Sequence, residues 1–253
     1  MRIVVKGKKF TTEHIWFEDF GTIKHLESKS DRAVIHANTT KLTDDASLQY
    51  SLITDLANDE ACIFDSFSST VKNEIRRAER EQVVCEIYDS ACLKISNEKL
   101  ISFSEMYGAM YSQKGMDVRV PMNEINAYVY NDAFILSAAV LNNVPCVYHA
   151  YITDGVRTRL LYSCSEFRVK DNAMKNAIGR ANKMLHWYDL RYFKEQNLSS
   201  YDWGGISSPD QPNGIDKFKM SFAGRPTQYY NCTIELSFMT KLLALYRKLF
   251  RKR

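Results

Sequence analysis

None of the six cysteines (Cys62, Cys85, Cys92, Cys146, Cys164 and Cys232) belongs to a CxxC pair, and none lies near a pair of histidines. That spacing argues against a zinc site and against a disulfide framework, so no metal is expected and a reducing cytoplasm is the expected setting. No run approaches the roughly 18 apolar residues of a spanning helix. Residues 1–10, MRIVVKGKKF, are too polar and too short for a signal peptide. No internal repeat or low-complexity segment is present. A generally basic surface is missing as well. Lys and Arg number 34 against 30 Asp and Glu, but six of the bases (Lys241, Arg247, Lys248, Arg251, Lys252 and Arg253) follow Leu236 with no acid among them. Setting those six aside leaves 28 bases against 30 acids. The excess sits in the tail, which excludes a nucleic-acid-binding surface spread over the body.

What is present fits a soluble globular chain of 253 residues, enough for one large domain or two small ones. Ile3–Val5 and Ala33–Ala37 read as strands, and His14–Phe20 as a strand or a short helix. Asp44–Asn58 suggests a helix with Leu48, Leu52, Ile53 and Leu56 on one side, and Ala61–Asp65 a strand. Phe67–Gln82 is the clearest early helix, capped by Ser66 or Ser68, with Val71, Ile75 and Ala78 as its buried stripe. Its Lys72, Arg76 and Arg80 repeat every four residues, either as a solvated face paired with Glu74, Glu79 and Glu81 or as an anion-binding row. A strand at Val83–Tyr88 and helices at Glu98–Lys114 and Met122–Tyr130 follow. Three antiparallel strands come next, at Ala133–Leu141, Pro145–Thr153 and Val156–Cys164, turned at Asn142-Asn143 and Asp154-Gly155. Arg157, Arg159, Tyr162 and Ser163 read mostly as an outer face, and His149 as a partly buried histidine or a catalyst. A long helix capped by Asp171 runs to about Glu195, with a break expected near Tyr188.

The rest of the chain is organised around Tyr201–Gly224, YDWGGISSPDQPNGIDKFKMSFAG. Tyr201–Trp203 reads as a buried strand stopping at Gly204-Gly205, a pair that lets backbone or ligand approach closely. A polar loop with two prolines follows. A short helix then places Ile215, Phe218 and Phe222 on one face and Lys219 on another. A strand end, a glycine pair and a lysine together suit an anionic or carbonyl group; the plainer alternative is a loop with a surface lysine.

Three stretches resemble the Fem-type transferases, a branch of the GNAT acyltransferases. Val71–Val83 resembles their "RN-IRKAEK-GV" helix and strand, Tyr201–Ile206 their "YDFGGI", and Gly214–Gly224 their "GIYRFKKGFGG". The resemblance implies an α+β fold, with a GNAT-like central, mixed, mostly antiparallel sheet and helices on both faces. It implies acyl transfer to an amine, with Lys219 stabilising the carbonyl oxygen and Asp202 orienting or deprotonating the amine. Ser163, Arg168, Lys170 and Asn172 are then expected at the donor, and Arg76, His149, Tyr162, Trp203, Gly204 and Gly205 at the acceptor. The donor would be acyl-CoA or an aminoacyl-tRNA, and the acceptor a small-molecule or lipid-linked sugar or a peptidoglycan peptide of the cell envelope. Two departures count against a simple match. Glu166–Asp171 lacks the glycines of the usual pyrophosphate loop, and only a reduced first lobe is possible. They leave open a non-catalytic GNAT-like binding module as the alternative.

The expected organisation is a reduced N-terminal lobe (1–82), a GNAT-like domain (83–235) and a basic amphipathic helix (236–253). That tail is either a final core-packing helix or an in-plane helix on the anionic inner face of a membrane, making the protein peripheral there. The donor is expected to enter where the strand ending at Cys164 splays from the strand containing Tyr201.

Overall fold

The structure, a computed structural model, describes residues 1–18, 28–167 and 171–250. The chain forms two compact units, residues 1–51 with 227–253, and residues 52–226. The boundaries expected at 82/83 and 235/236 fall inside these units. The helix before residue 82 is tied into the second unit, as shown below.

In the first unit, β1 (Arg2–Lys6) pairs antiparallel with β2 (Thr11–Trp16), and β2 pairs parallel with β3 (Arg32–Asn38). The strand alternative for the aromatic stretch after His14 therefore holds as far as Trp16. β10 (Arg225–Glu235) lies antiparallel on the other side of β3. Ile15, Ala33, Ile35 and Cys232 form its buried cluster. The Arg32 guanidinium donates through Nε to both oxygens of Glu235, at 3.1 and 2.9 Å.

Two assignments reverse between sequence and structure. Residues 44–58 are not helical; Ser47–Asp55 forms β4, with Ser51 and Leu52 fully buried. Residues 61–65 are not a strand; Glu60–Ser66 forms α1. Both are short apolar runs, for which periodicity alone does not separate strand from helix, and tertiary pairing decides.

In the second unit, α2 (Ser69–Arg80) starts where the Ser68 hydroxyl accepts the Val71 N–H, and it buries Val71, Ile75 and Ala78 as expected. β5 (Val84–Asp89), α3 (Ser90–Ile95), α4 (Glu98–Ser112) and α5 (Met122–Tyr130) follow. Then comes the meander of β6 (Phe134–Leu141), β7 (Val144–Thr153) and β8 (Arg157–Ser165). Asn142 and Asn143 both take positive φ, 51° and 63°, which matches the twist that a two-residue hairpin needs. α6 (Asn172–Glu195) runs unbroken through Tyr188, contrary to the expected break. β9 (Ser200–Ile206), α7 (Gly214–Met220) and the start of β10 complete the unit.

The sheet order here is β9-β8-β7-β6-β5, antiparallel except for the parallel β8–β9 pair. α4 covers one face, where the Tyr148 hydroxyl donates to Ser102 Oγ at 3.0 Å. α6 covers the other, packing Ile178, Ala181 and Leu185 against Ala139, Val147 and Ala78. Burying a side chain such as Leu185 contributes about 2 kcal/mol. Glu81 at the end of α2 accepts two hydrogen bonds from Arg180 of α6 (2.7 and 2.9 Å), and Glu74 pairs with Lys183 at 2.6 Å. These contacts fix α2 to α6. They also show which of its glutamates pair with another element. The fold is thus α+β, with a mixed, mostly antiparallel sheet and helices on both faces.

Candidate functional site at the end of β9

β8 and β9 pair over three positions, Arg157 with Ser200, Thr158 with Tyr201 and Arg159 with Asp202; among the described residues the ladder goes no further. The cause lies in β8. Its register against β7 steps from Leu160 opposite Tyr151 to Tyr162 opposite Ala150, leaving Leu161 as an extra residue. Such a bulge bends its strand and sharpens the local twist. It falls two residues after Arg159, the last residue paired to β9, and the two strands part at their C-terminal ends.

At that parting the backbone of β9 stays close to β8. Gly204 has φ +73°, and a Cβ there would lie 2.5 Å from the Leu160 carbonyl oxygen. Only glycine meets both conditions. β9 does not stop at the glycine pair, as the sequence suggested, but continues through it to Ile206. Asp202 is buried, and both of its carboxylate oxygens are engaged: Oδ2 accepts from the Arg159 guanidinium, and Oδ1 accepts the Gly204 N–H at 2.8 Å. Arg159, read from sequence as an outer-face residue, is itself buried. Its partner arrives from β9 across the long α6 crossover, which no local pattern reveals.

Lys219 comes from α7. Asn213 caps this helix, accepting the N–H groups of Ile215 (2.7 Å) and Asp216 (3.0 Å), while the buried Asp216 carboxylate accepts back from the Asn213 N–H at 3.0 Å. Asp216 also accepts the Ser207 N–H at 3.1 Å and the Ser207 hydroxyl, so one carboxylate holds both ends of the 207–213 loop. Lys219, one turn on, is thereby aimed at the glycine pair. Its Nζ donates to the Gly205 carbonyl at 2.8 Å and would lie 3.6 Å from a Cβ on Gly204. Burial first, and then the Arg159 charge, push its ammonium down from 10.5 to about 8, against the opposing pull of Asp202 and Asp216. Lys219, Asp202, Gly204 and Gly205 are therefore brought together, with Arg159 as a fifth member.

A second polar group lies buried against α6. His149 Nδ1 is 2.8 Å from Asp189 Oδ2, and its Nε2 is 2.8 Å from Asn182 Oδ1. The Tyr151 hydroxyl donates to Asp189 Oδ2 at 2.6 Å and meets the Tyr201 hydroxyl at 2.8 Å; that hydroxyl lies 3.1 Å from His186 Nδ1. Burial drives His186 well below its ordinary 6.5, helped by the charges of His149, Lys219 and Lys183. Asp189 Oδ1 has no hydrogen-bond partner among the described residues. His149, His186 and Asp189 are close enough to suggest a metal, but the two imidazoles are stacked, with centroids 4.0 Å apart and planes 29° apart. In-plane nitrogen lone pairs of stacked rings do not converge, so the trio does not fit a tetrahedral ion. Sequence reasoning missed this network, although Asn182, His186 and Asp189 stand at i, i+4 and i+7 on one helical face.

The other expected site residues are dispersed. Trp203 is fully buried, with its Nε1 donating to Thr54 Oγ1 at 2.9 Å and its ring against Phe222 (4.6 Å between centroids). Tyr162 sits edge-on to Tyr107 at 5.6 Å on the α4 side, its hydroxyl pushed up to about 12 by burial. Ser163 lies opposite His149 in the β7–β8 register. Arg76 is exposed, its guanidinium 5.4 Å over the Phe64 ring. Asn172 is the exposed first residue of α6, after Asp171, whose side chain accepts the Met174 N–H at 2.8 Å. Arg168 and Lys170 lie outside the described residues. A pocket of about 630 Å³ opens elsewhere in the second unit, lined by Ile53, Asn58, Ser66, Ser200, Phe222 and Arg225 among others. No expected site residue lines it. The ladder and hydrogen-bond geometry, rather than concavity, single out the β9 end.

No family model and no curated protein matches the chain. Solved structures do. FemX superposes with a TM-score of 0.61 at 13% identity, covering 96% of this chain and 85% of that one. L-PGS from Bacillus licheniformis gives 0.52 at 11% identity over 85% and 72%. A conserved protein of unknown function from Bacteroides thetaiotaomicron gives 0.51 at 10% over 89% and 80%. At these identities the likeness is one of fold: the chain has the fold seen in FemX.

Proposed function

We propose that this chain is an N-acyltransferase moving an acyl or aminoacyl group from acyl-CoA or an aminoacyl-tRNA to an amine on a bacterial cell-envelope precursor. The carrying observation is the Lys219 ammonium, depressed to about 8, beside the glycine pair where β8 parts from β9. In the reaction the acceptor nitrogen attacks the donor carbonyl carbon. The C–S or C–O bond to the carrier breaks, and the nitrogen loses a proton while the departing thiolate or alkoxide gains one. Charge gathers on the carbonyl oxygen meanwhile, and a fixed donor there does most of the work. With a pKa of about 8, Lys219 is roughly 90 per cent protonated at pH 7 and serves as that donor.

Asp202, with both oxygens committed, orients the strand end and Arg159 instead of removing the proton. Ser163, Arg168, Lys170 and Asn172 are assigned to the donor. Arg76, Tyr162, Gly204 and Gly205 are assigned to the acceptor, with the buried His149 and Trp203 acting through the walls they support. The acceptor is an amino sugar or peptide, soluble or lipid-linked, met in the cytoplasm or at the inner membrane face.

The test is mass-spectrometric detection of product from the purified chain with panels of acyl-CoA, aminoacyl-tRNA and nucleotide amino sugars. The expected result is a donor-derived mass gain on one amine. A ligand-induced thermal shift with no product from any pair would favour the binding-module alternative.

A further inference from the structure

α8 (Phe238–Phe250) carries two opposed faces. Thr240 is fully buried, its hydroxyl donating to the Asp31 carbonyl at 2.9 Å, and the half-buried Leu243 and Ala244 follow at i+3 and i+4. This narrow face seats the helix on the first unit. Diametrically opposite, Phe238, Leu242, Leu245 and Leu249 fall at i, i+4, i+7 and i+11, and they are 80, 50, 55 and 64% exposed. Exposed Met239, Tyr246 and Phe250 widen this stripe on one flank, and Lys241 and Lys248 stand on the other. Isolated exposed apolar residues are ordinary, but seven large ones along one outward face of a 13-residue helix are not.

We infer that this face lies in the plane of an anionic bilayer surface. Charge selects that occupant. The segment after Leu236 holds six bases and no acid, three of them in its last three residues. A second copy on the same stripe would bring two basic segments face to face with no acid in either to pair the charges. An anionic headgroup layer attracts them while acyl chains take the stripe. Docking needs no unpeeling, because the face that holds the helix to the protein is not the face that inserts. Among the described residues no helix is long and apolar enough to cross a membrane, so the contact is in-plane.

The inference rests on the membrane-side setting proposed above and not on the acyl-transfer chemistry. Flotation reads no product, so either reading can fail alone. The test uses the full chain with phosphatidylcholine vesicles, with or without about a quarter phosphatidylglycerol, at low and high salt. The wild type should float with the anionic vesicles at low salt and far less with neutral ones or at high salt. Leu242→Ser/Leu245→Ser/Leu249→Ser changes only exposed side chains, so circular dichroism should be unchanged while partitioning falls at least about 10-fold. Lys241→Gln/Lys248→Gln should lower it about 10-fold or more. Equal flotation of wild type and triple variant would overturn the inference. So would a wild type that binds no vesicle, including one that light scattering shows to be a dimer broken by the triple substitution.

Discussion

Replacing Lys219 by methionine keeps the side chain's length and apolar stem and removes its charge. The folded environment pulls the ammonium from 10.5 to about 8, a difference of about 2.5 pH units, which corresponds to about 3 kcal/mol against the charged form at pH 7. The substitution gives up the hydrogen bond to the Gly205 carbonyl, worth about 1 kcal/mol; the attraction of Asp202 and Asp216 is already contained in the depressed value. The net expectation is a variant more stable by about 2 kcal/mol, a rise of about 4–8 °C in melting temperature for a chain of this size. The sign of the pH dependence follows. Between about pH 8 and 10.5 the unfolded lysine is protonated and the folded one is not, so wild-type stability climbs through that window and the advantage of Lys219→Met shrinks. Thermal and urea denaturation at pH 7 and near pH 10 measure both, with no substrate needed. A site held at a cost in stability for the sake of chemistry has this signature. A Lys219→Met protein that melts lower than wild type at pH 7, or whose advantage is the same at both pH values, would refute the reasoning.

Other substitutions separate the remaining parts of the site. Gly204→Ala, which meets both a positive φ and the Leu160 carbonyl, should cost about 3 kcal/mol or more in urea denaturation, whereas Gly155→Ala, at φ +79° in open space, should cost only about 1 kcal/mol. Asp202→Asn should destabilise by about 3 kcal/mol by leaving Arg159 buried beside a neutral partner, and adding Arg159→Met should recover most of that loss. In the first unit, burial lowers His14 to about 4, so its contribution is lost as pH falls below 6.5, at about 1.4 kcal/mol per pH unit; the urea midpoint of His14→Gln should fall less steeply between pH 6.5 and 4.5 than that of wild type.

Much of this was legible in the chain because its signals are local. The stripe and cap of α2, the paired asparagines between β6 and β7, the Asp171 cap of α6 and the YDWGG and FK elements each specify a neighbourhood without help from distant residues. Residues 44–58 and 61–65 were misread because their apolar runs carry no period that outweighs sheet pairing. Arg159 looked like surface because alternation along β8 says nothing of β9, which arrives some forty residues later to bury it. The α6 network was the nearer miss. His149 drew notice alone, but its partners share one helical face with apolar neighbours, and buried polar side chains at that spacing require one another.

The central claim is that the Lys219 ammonium stabilises charge formed during acyl transfer to an amine. Its most direct test is single-turnover product formation, followed by mass with an isotopically labelled donor, for wild type and Lys219→Met at pH 7. The account predicts label transferred to the acceptor amine by wild type, at a rate at least about 100-fold higher than by Lys219→Met, with both proteins folded. Equal rates in the two proteins would contradict it.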